Sequence, residues 1–204
     1  MGSLIDEFEV KYWEQGKLVV GIDEAGRGPM AGPCVVSGVI FPKGFYDPRI
    51  NDSKQLTEKK REELVAFIES NALWTATEII PVAVIDRDNI YRATQRAMEK
   101  IAIESKAAIA LTDAMPLEGV DIPFEAIVKG DARSLSIAAA SILAKTVRDG
   151  LMRMYDLEYP EYGFAKHKGY GTKMHKEAIL KFGRCPIHRQ SFRFKDETQI
   201  SFDI

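Results

Sequence analysis

The chain has little cysteine. Cys34 and Cys185 are the only two in 204 residues, and they lie far apart. That argues against a disulfide framework and for two reduced thiols. Histidine is scarce as well. His167, His175 and His188 are the whole supply, too few for a histidine-rich zinc site. Long apolar runs are missing: none approaches the roughly 20 residues needed to cross a bilayer. Residues 1–12 are acidic and mixed, without the basic start and apolar stretch of a secretory signal. No membrane contact and a cytosolic location are therefore expected. No repeat, low-complexity tract or long linker divides the chain. One domain over residues 1–204 is the expectation, and nothing calls for more than a monomer.

A large excess of either charge is also absent, since the net charge is −2. The distribution is more telling. Between Lys166 and Arg189 stand Lys168, Lys173, Lys176, Lys181 and Arg184, with Glu177 the only acid. A basic segment of about residues 160–192 can neutralise phosphates even on a neutral protein. A solvated basic face would look the same.

Apolar patterning predicts strands over residues 18–22, 33–41, 74–84, 107–112 and 124–128. Helical spacing covers 56–70, 86–105, 132–155 and 172–181. Strands followed by strand–helix alternation predict an α/β sheet layered with helices. A loop too glycine-rich for regular structure, residues 23–32, joins the first two strands.

Acids fall where these strands end. Asp23 and Glu24 follow the first, Asp113 ends the fourth, and Asp131 follows the fifth. Carboxylates at strand ends can converge on one rim, where open α/β sheets bind ligands. Their mutual repulsion is relieved by hard cations, and Mg²⁺ or Mn²⁺ favours oxygen ligands. Two such ions, roughly 3.5–4 Å apart, can hold the attacking and leaving oxygens of a phosphodiester. Asp131 precedes a helix and can serve as its N-cap, as a ligand, or as both. Asp149 is a rival for the fourth place. As part of a helix it would lie about 27 Å from Asp131 at 1.5 Å per residue, so both cannot serve one centre. Asp131 is chosen for its place at the rim. Asp23 and Glu24 are neighbours, and strand neighbours point to opposite faces. Both reach one site only where the strand ends and the chain bends.

Six ordered blocks carry a resemblance. They are Gly21-Ile22-Asp23-Glu24-Ala25-Gly26-Arg27-Gly28-Pro29, Asn51-Asp52-Ser53-Lys54-Gln55-Leu56 and Leu111-Thr112-Asp113. Lys129-Gly130-Asp131 follows with Ala138-Ala139-Ala140-Ser141-Ile142-Leu143-Ala144-Lys145 and Arg148-Asp149. His167-Lys168-Gly169-Tyr170-Gly171-Thr172 and His188-Arg189-Gln190-Ser191-Phe192 complete the set. Together they resemble the ribonuclease HII family from about residue 18 to 192. The resemblance implies an RNase H-like fold: a mixed central β-sheet flanked by α-helices, with a helical C-terminal part. It implies a metal centre of Asp23, Glu24, Asp113 and Asp131 holding Mg²⁺ or Mn²⁺, two ions during catalysis. The implied substrates are RNA–DNA hybrids and duplex DNA containing ribonucleotides. Attack would fall on the phosphate 5′ of a ribonucleotide, leaving a 3′-hydroxyl and a 5′-phosphate. The related type III enzymes carry an extra N-terminal domain. Only a short segment precedes the first strand here, which fits type II.

Distinguishing RNA from DNA means reading a 2′-hydroxyl. The resemblance gives that role to Gly26, Arg27 and Gly28, whose glycines let backbone approach closely. It also gives Tyr170 contact with the 2′-hydroxyl and packing on the adjacent deoxyribose. Lys54, Lys168 and Arg189 are the expected phosphate contacts, which position a duplex without reading its sequence. The alanine-rich stretch 138–144 is assigned to tight helix–sheet packing, with Ser141 bonding its own helix backbone. Two rival functions remain. A non-catalytic nucleic-acid-binding module would leave the ordered acids without a purpose. A small-molecule phosphotransferase would lack the expected Gly-Lys-Ser/Thr loop.

Overall fold

The computed structural model describes residues 7–51, 53 and 56–198. Five strands form one mixed sheet in the order β3-β2-β1-β4-β5. The central strand is β1 (Val19–Ala25). β2 (Cys34–Ile40) and β3 (Trp74–Ile80) extend it antiparallel on one side. β4 (Ile109–Asp113) and β5 (Phe124–Ile127) extend it parallel on the other. The helices are α1 (Glu7–Trp13), α2 (Glu58–Asn71), α3 (Val82–Asp88), α4 (Ile90–Ser105), α5 (Leu135–Glu158), α6 (Phe164–His167) and α7 (Lys173–Phe182). This is the expected α/β architecture, with a helical C-terminal part.

Both faces of β1 are covered, which is why it reads as a continuous apolar run. Val20 and Ile22 pack with Met98, Ile101 and Ala102 of α4. The alternate residues face α5. A Cβ at Gly21 would lie 2.2 Å from the Ser136 carbonyl carbon, so only glycine lets the helix cross there. Leu135, Ala138, Ala139 and Ile142 of α5 then fill a second core with Val39, Leu64 and Ile68. The small residues of 138–144 do pack helix on sheet, as expected. Strand alternation fixes the rest: Asp23 emerges on the α5 face, Glu24 on the α4 face.

Several boundaries move for identifiable reasons. β1 does not stop at Ile22, so Asp23 and Glu24 lie within its last residues. The strand expected over 74–84 ends at Ile80, because Pro81 has no N–H for the ladder. The segment beyond it folds as α3. The long helix expected over 86–105 breaks at Asn89, whose φ is 63°. Asn89 instead caps α4, its Oδ1 accepting from the Arg92 amide at 3.0 Å. The helix expected from residue 132 begins at Leu135, after a 3₁₀ turn over Gly130–Ala132. Its cap is Ser134, whose Oγ accepts from the Ile137 amide at 3.2 Å, so Asp131 is not the N-cap of α5. α1 and α6 were not anticipated. Among the described residues no helix is long and apolar enough to cross a membrane.

Candidate active site

β1, β4 and β5 run parallel, so their C-terminal ends share one rim. Ile22 pairs with Thr112, which puts Asp23 level with Asp113. Asp131 joins them from the 3₁₀ turn after β5. One carboxylate oxygen from each of Asp23, Asp113 and Asp131 lies within 4.8 Å of the other two. Asp23 and Asp131 are each 4% exposed. Hydrogen bonds hold the group in place. Asp113 Oδ1 accepts from the Gly130 amide at 2.8 Å, and Asp23 Oδ1 from the Glu24 amide at 2.7 Å. Burial, together with the charges of Glu24 and Asp113, raises the Asp23 carboxyl well above the usual carboxylate range, against the lowering effect of Ser141. An all-oxygen donor set under mutual repulsion fits a hard divalent cation.

Glu24 lines the same cavity but lies outside this close trio, as its opposite strand face requires. Its Oε1 is 3.4 Å from Arg27 Nη1. The cavity holds about 240 Å³ and is walled by Asp23, Glu24, residues 25–28, Ser53, Asp113, Ser141, Lys145, Arg148 and Tyr170. Gly26, Arg27, Gly28 and Tyr170 therefore come together in one cavity. A Cβ at Gly28 would sit 3.7 Å from the Tyr170 ring. Tyr170 is 47% exposed and lines the same cavity as Asp23, Glu24 and Asp113. Gly26 has φ +98°, and a Cβ there would lie 2.0 Å from Arg148 Nε, so glycine is obligatory.

The loop is held from beneath by two buried arginines. Arg148 donates to the carbonyls of Pro33 (3.0 Å), Lys168 (2.9 Å) and Ala31 (3.2 Å). Arg189 donates to those of Gly32 (2.9 Å), Arg27 (2.9 Å) and Gly26 (2.6 Å). An irregular loop cannot satisfy its own carbonyls, and a guanidinium offers five donors in a fixed fork. Burial pushes Arg189 down to about 10. The expectation that Arg189 contacts phosphate is thus corrected: it is 0% exposed and spends its nitrogens on backbone.

Lys168 does not line the cavity. Its side chain is 13% exposed and its Nζ lies 4.0 Å from Glu58 Oε1. Lys54 lies outside the described residues. Asp149 is no ligand candidate in this structure: it takes Arg61 Nη2 at 3.0 Å and Lys145 Nζ at 2.7 Å.

Sequence reasoning missed Ser141, Lys145 and Arg148 as cavity residues. Ser141 does not bond its own helix backbone. Its Oγ meets Ser53 Oγ at 2.9 Å, and its side chain lowers the Asp23 carboxyl against burial. The signal was available: residues 141, 145 and 148 stand at i, i+4 and i+7, one stripe of α5 facing the rim.

The ribonuclease HII family model matches residues 20–195. The chain belongs to the ribonuclease HII family. That is a family of hydrolases acting on RNA in RNA–DNA hybrids. Ribonuclease HII of Caldanaerobacter subterraneus subsp. tengcongensis is 50% identical over 188 residues, covering 91% of this chain and 78% of that one. Ribonuclease HII of Acholeplasma laidlawii is 50% identical over 188 residues, covering 91% and 92%. The ribonuclease HII of Archaeoglobus fulgidus, solved in complex with PCNA, superposes with a TM-score of 0.71 at 26% identity. That match covers 91% of this chain and 100% of that one.

Proposed function

We propose that this chain hydrolyses the RNA strand of RNA–DNA hybrids and cuts duplex DNA 5′ of an embedded ribonucleotide, leaving a 3′-hydroxyl and a 5′-phosphate. Its role would be ribonucleotide removal from DNA. One observation carries the reading: Asp23, Asp113 and Asp131 converge at the sheet rim, and Asp23 and Asp113 line the cavity that also holds the Gly26–Gly28 loop and the exposed Tyr170.

Asp23, Asp113 and Asp131, with Glu24 beside them, would hold Mg²⁺ or Mn²⁺, two ions during catalysis. When bound, the ions supply a water activated for attack and offset charge on the phosphate. The chain's own residues do the selecting. Backbone of residues 26–28 reaches the 2′-hydroxyl because glycine leaves it uncovered. The Tyr170 ring packs on the neighbouring sugar, and its hydroxyl hydrogen-bonds. Arg27, with 40% of its side chain exposed, and Lys145, with 26%, put cations at the cavity's edge, where phosphates pass. No base edge is read in this scheme, so little sequence preference is expected. Two free, buried cysteines suit a reducing cytosol.

The test is a DNA duplex carrying one ribonucleotide, incubated with Mg²⁺, Mn²⁺ or EDTA beside an all-DNA control. Metal-dependent cutting just 5′ of the ribonucleotide, with the control intact, is the expected result. Cutting of a long hybrid alone would retain the metal centre and remove the Tyr170 reading. No cutting of either substrate would favour a non-catalytic binding module.

A further inference from the structure

The three histidines form one buried cluster outside the acidic cavity. His167, His175 and His188 are 8%, 0% and 1% exposed. The rings of His167 and His175 stack 4.3 Å apart at 14°. Phe164 meets His175 edge-on, and Tyr162 meets His188.

The partners fix which nitrogen of each ring carries hydrogen. A carbonyl oxygen only accepts, so His175 Nδ1, 2.9 Å from the Tyr170 carbonyl, is the donor. Nε2 of that neutral ring is then a lone pair. It faces His188 Nε2 at 3.0 Å, which must carry the hydrogen between them. His188 Nδ1 is left to accept, and it receives the Cys185 amide at 2.9 Å. His167 follows the same logic. Its Nε2 donates to the Tyr162 carbonyl at 2.7 Å, and its Nδ1 accepts the Gly169 amide at 3.1 Å. His188 Nδ1 also lies 3.2 Å from the Cys185 carbonyl and 3.1 Å from the Cys185 sulfur; the amide contact, the shortest of the three, assigns Nδ1 as the acceptor, and all three rings are then neutral. Burial favours that state, pushing His175 and His188 down to about 4.

The chain thus runs in one direction: Cys185 amide, His188, His175, Tyr170 carbonyl. The Tyr170 amide is held too, donating to the His167 carbonyl at 2.9 Å. The residue after His188 is Arg189, which grips the Gly26 and Arg27 carbonyls. Residues 188 and 189 therefore fasten both walls of the cavity, which meet where Gly28 faces Tyr170.

We propose that His175 and His188 are positioning residues for Tyr170. Their ordered hydrogen-bond chain sets where the ring sits in the cavity that Asp23 and Asp113 also line. That placement ranks a single embedded ribonucleotide against a continuous RNA strand. The inference rests on the substrate reading of Tyr170 given above.

The experiment compares two substitutions at one position. His188→Gln can keep a donor near the old Nε2 and so keep the link to His175. His188→Asn keeps an acceptor near Nδ1 and loses that link. The readout is the ratio of kcat/KM on a single-ribonucleotide duplex to kcat/KM on a long hybrid. His188→Asn is expected to lower this ratio about tenfold, the size of one hydrogen bond, with His188→Gln restoring most of it. Added to Tyr170→Ala, His188→Asn should change the ratio no further. Equal ratios for Asn and Gln would overturn the proposal. If Tyr170→Ala lowers the ratio and His188→Asn does not, the proposal falls while the reading of Tyr170 stands. If Tyr170→Ala leaves the ratio unmoved, both fall. A measurement on the unaltered protein covers variants that fail to fold. Side-chain ¹H–¹⁵N NMR at neutral pH should show hydrogen on Nε2 of His167 and His188 and on Nδ1 of His175. The opposite tautomer at His175 or His188 would overturn the chain.

Discussion

Asp23 and Asp149 are buried almost equally, at 4% and 2% exposed; Asp149 belongs to α5, and Asp23 lines a cavity with Ser141, Lys145 and Arg148 of that helix. Their surroundings differ completely. Asp149 sits between two cations, Arg61 at 3.0 Å and Lys145 at 2.7 Å. Asp23 sits among acids, with Asp113 and Asp131 within ligand distance. A buried charge is costly unless something offsets it. At Asp149 the protein supplies the offset itself. At Asp23 it gathers more charge of the same sign, which is tolerable where a proton neutralises one carboxyl or a cation from solution completes the site. Burial and acidity alone do not separate structure from function here; the sign of the neighbours does.

The largest expected effect breaks the acidic side. Asp113→Asn should cost at least roughly 10³-fold in cleavage, beyond the 10–100-fold usual for a lost supporting partner. Hybrid binding, followed by fluorescence anisotropy, should stay detectable. Wild-type turnover by the purified variant in Mg²⁺ would sink the assignment. The paired side should answer differently. Arg61→Ala leaves Asp149 with Lys145 alone and should destabilise the fold by about 3 kcal/mol, read by urea unfolding. A loss below about 1 kcal/mol would mean that Asp149 does not depend on Arg61.

The histidine cluster handles burial in a third way, by staying neutral. His175 and His188 are held near 4, against 6.5 for an ordinary histidine. As pH falls below about 6.5 the unfolded chain takes protons that the folded cluster refuses. Stability should therefore drop between about pH 6.5 and 4, and the histidine contribution should level off below that. Charged groups nearby are Arg184, which opposes protonation, and Glu197, which favours it at His188. Thermal midpoints of the wild type and of His175→Asn across this range would check it. The variant should show the shallower slope.

Much of this was legible from residue order. Apolar runs ending in Asp113 and followed by Asp131 placed both acids at the rim, because strand ends are set by local pattern. The packing role of residues 138–144 followed from their small side chains, and the mixed sheet from the family resemblance. The break at Pro81 was readable and overlooked, since Val82, Ala83 and Val84 continue the apolar run. The break at Asn89 rests on a single positive φ that no periodicity reveals. Arg189 was misread because a sequence shows a cation but not which carbonyls lack donors. Those carbonyls belong to a loop some 160 positions earlier. The pairing of Arg61 with Asp149 hid for the same reason: its partners are 88 residues apart.

The smallest expected effect is the most discriminating, because it predicts a gain. In chelator at pH 7, Asp23→Asn removes one member of a repelling group whose ionisation burial already opposes. Relief on the order of 1 kcal/mol would raise the thermal midpoint by roughly 2–4 °C in a domain of this size. Asp149→Asn should lower it, since that change strands two cations. Saturating Mg²⁺ or Mn²⁺ should then reverse the order at Asp23. The wild type gains binding energy, about 2.7 kcal/mol at a concentration 100 times Kd, and the variant gains less. A lower midpoint for Asp23→Asn in chelator would mean that the hydrogen bond from the Glu24 amide, with the favourable effect of Ser141, outweighs the repulsion. The acidic rim would then be a self-sufficient structural cluster like its neighbour around Asp149.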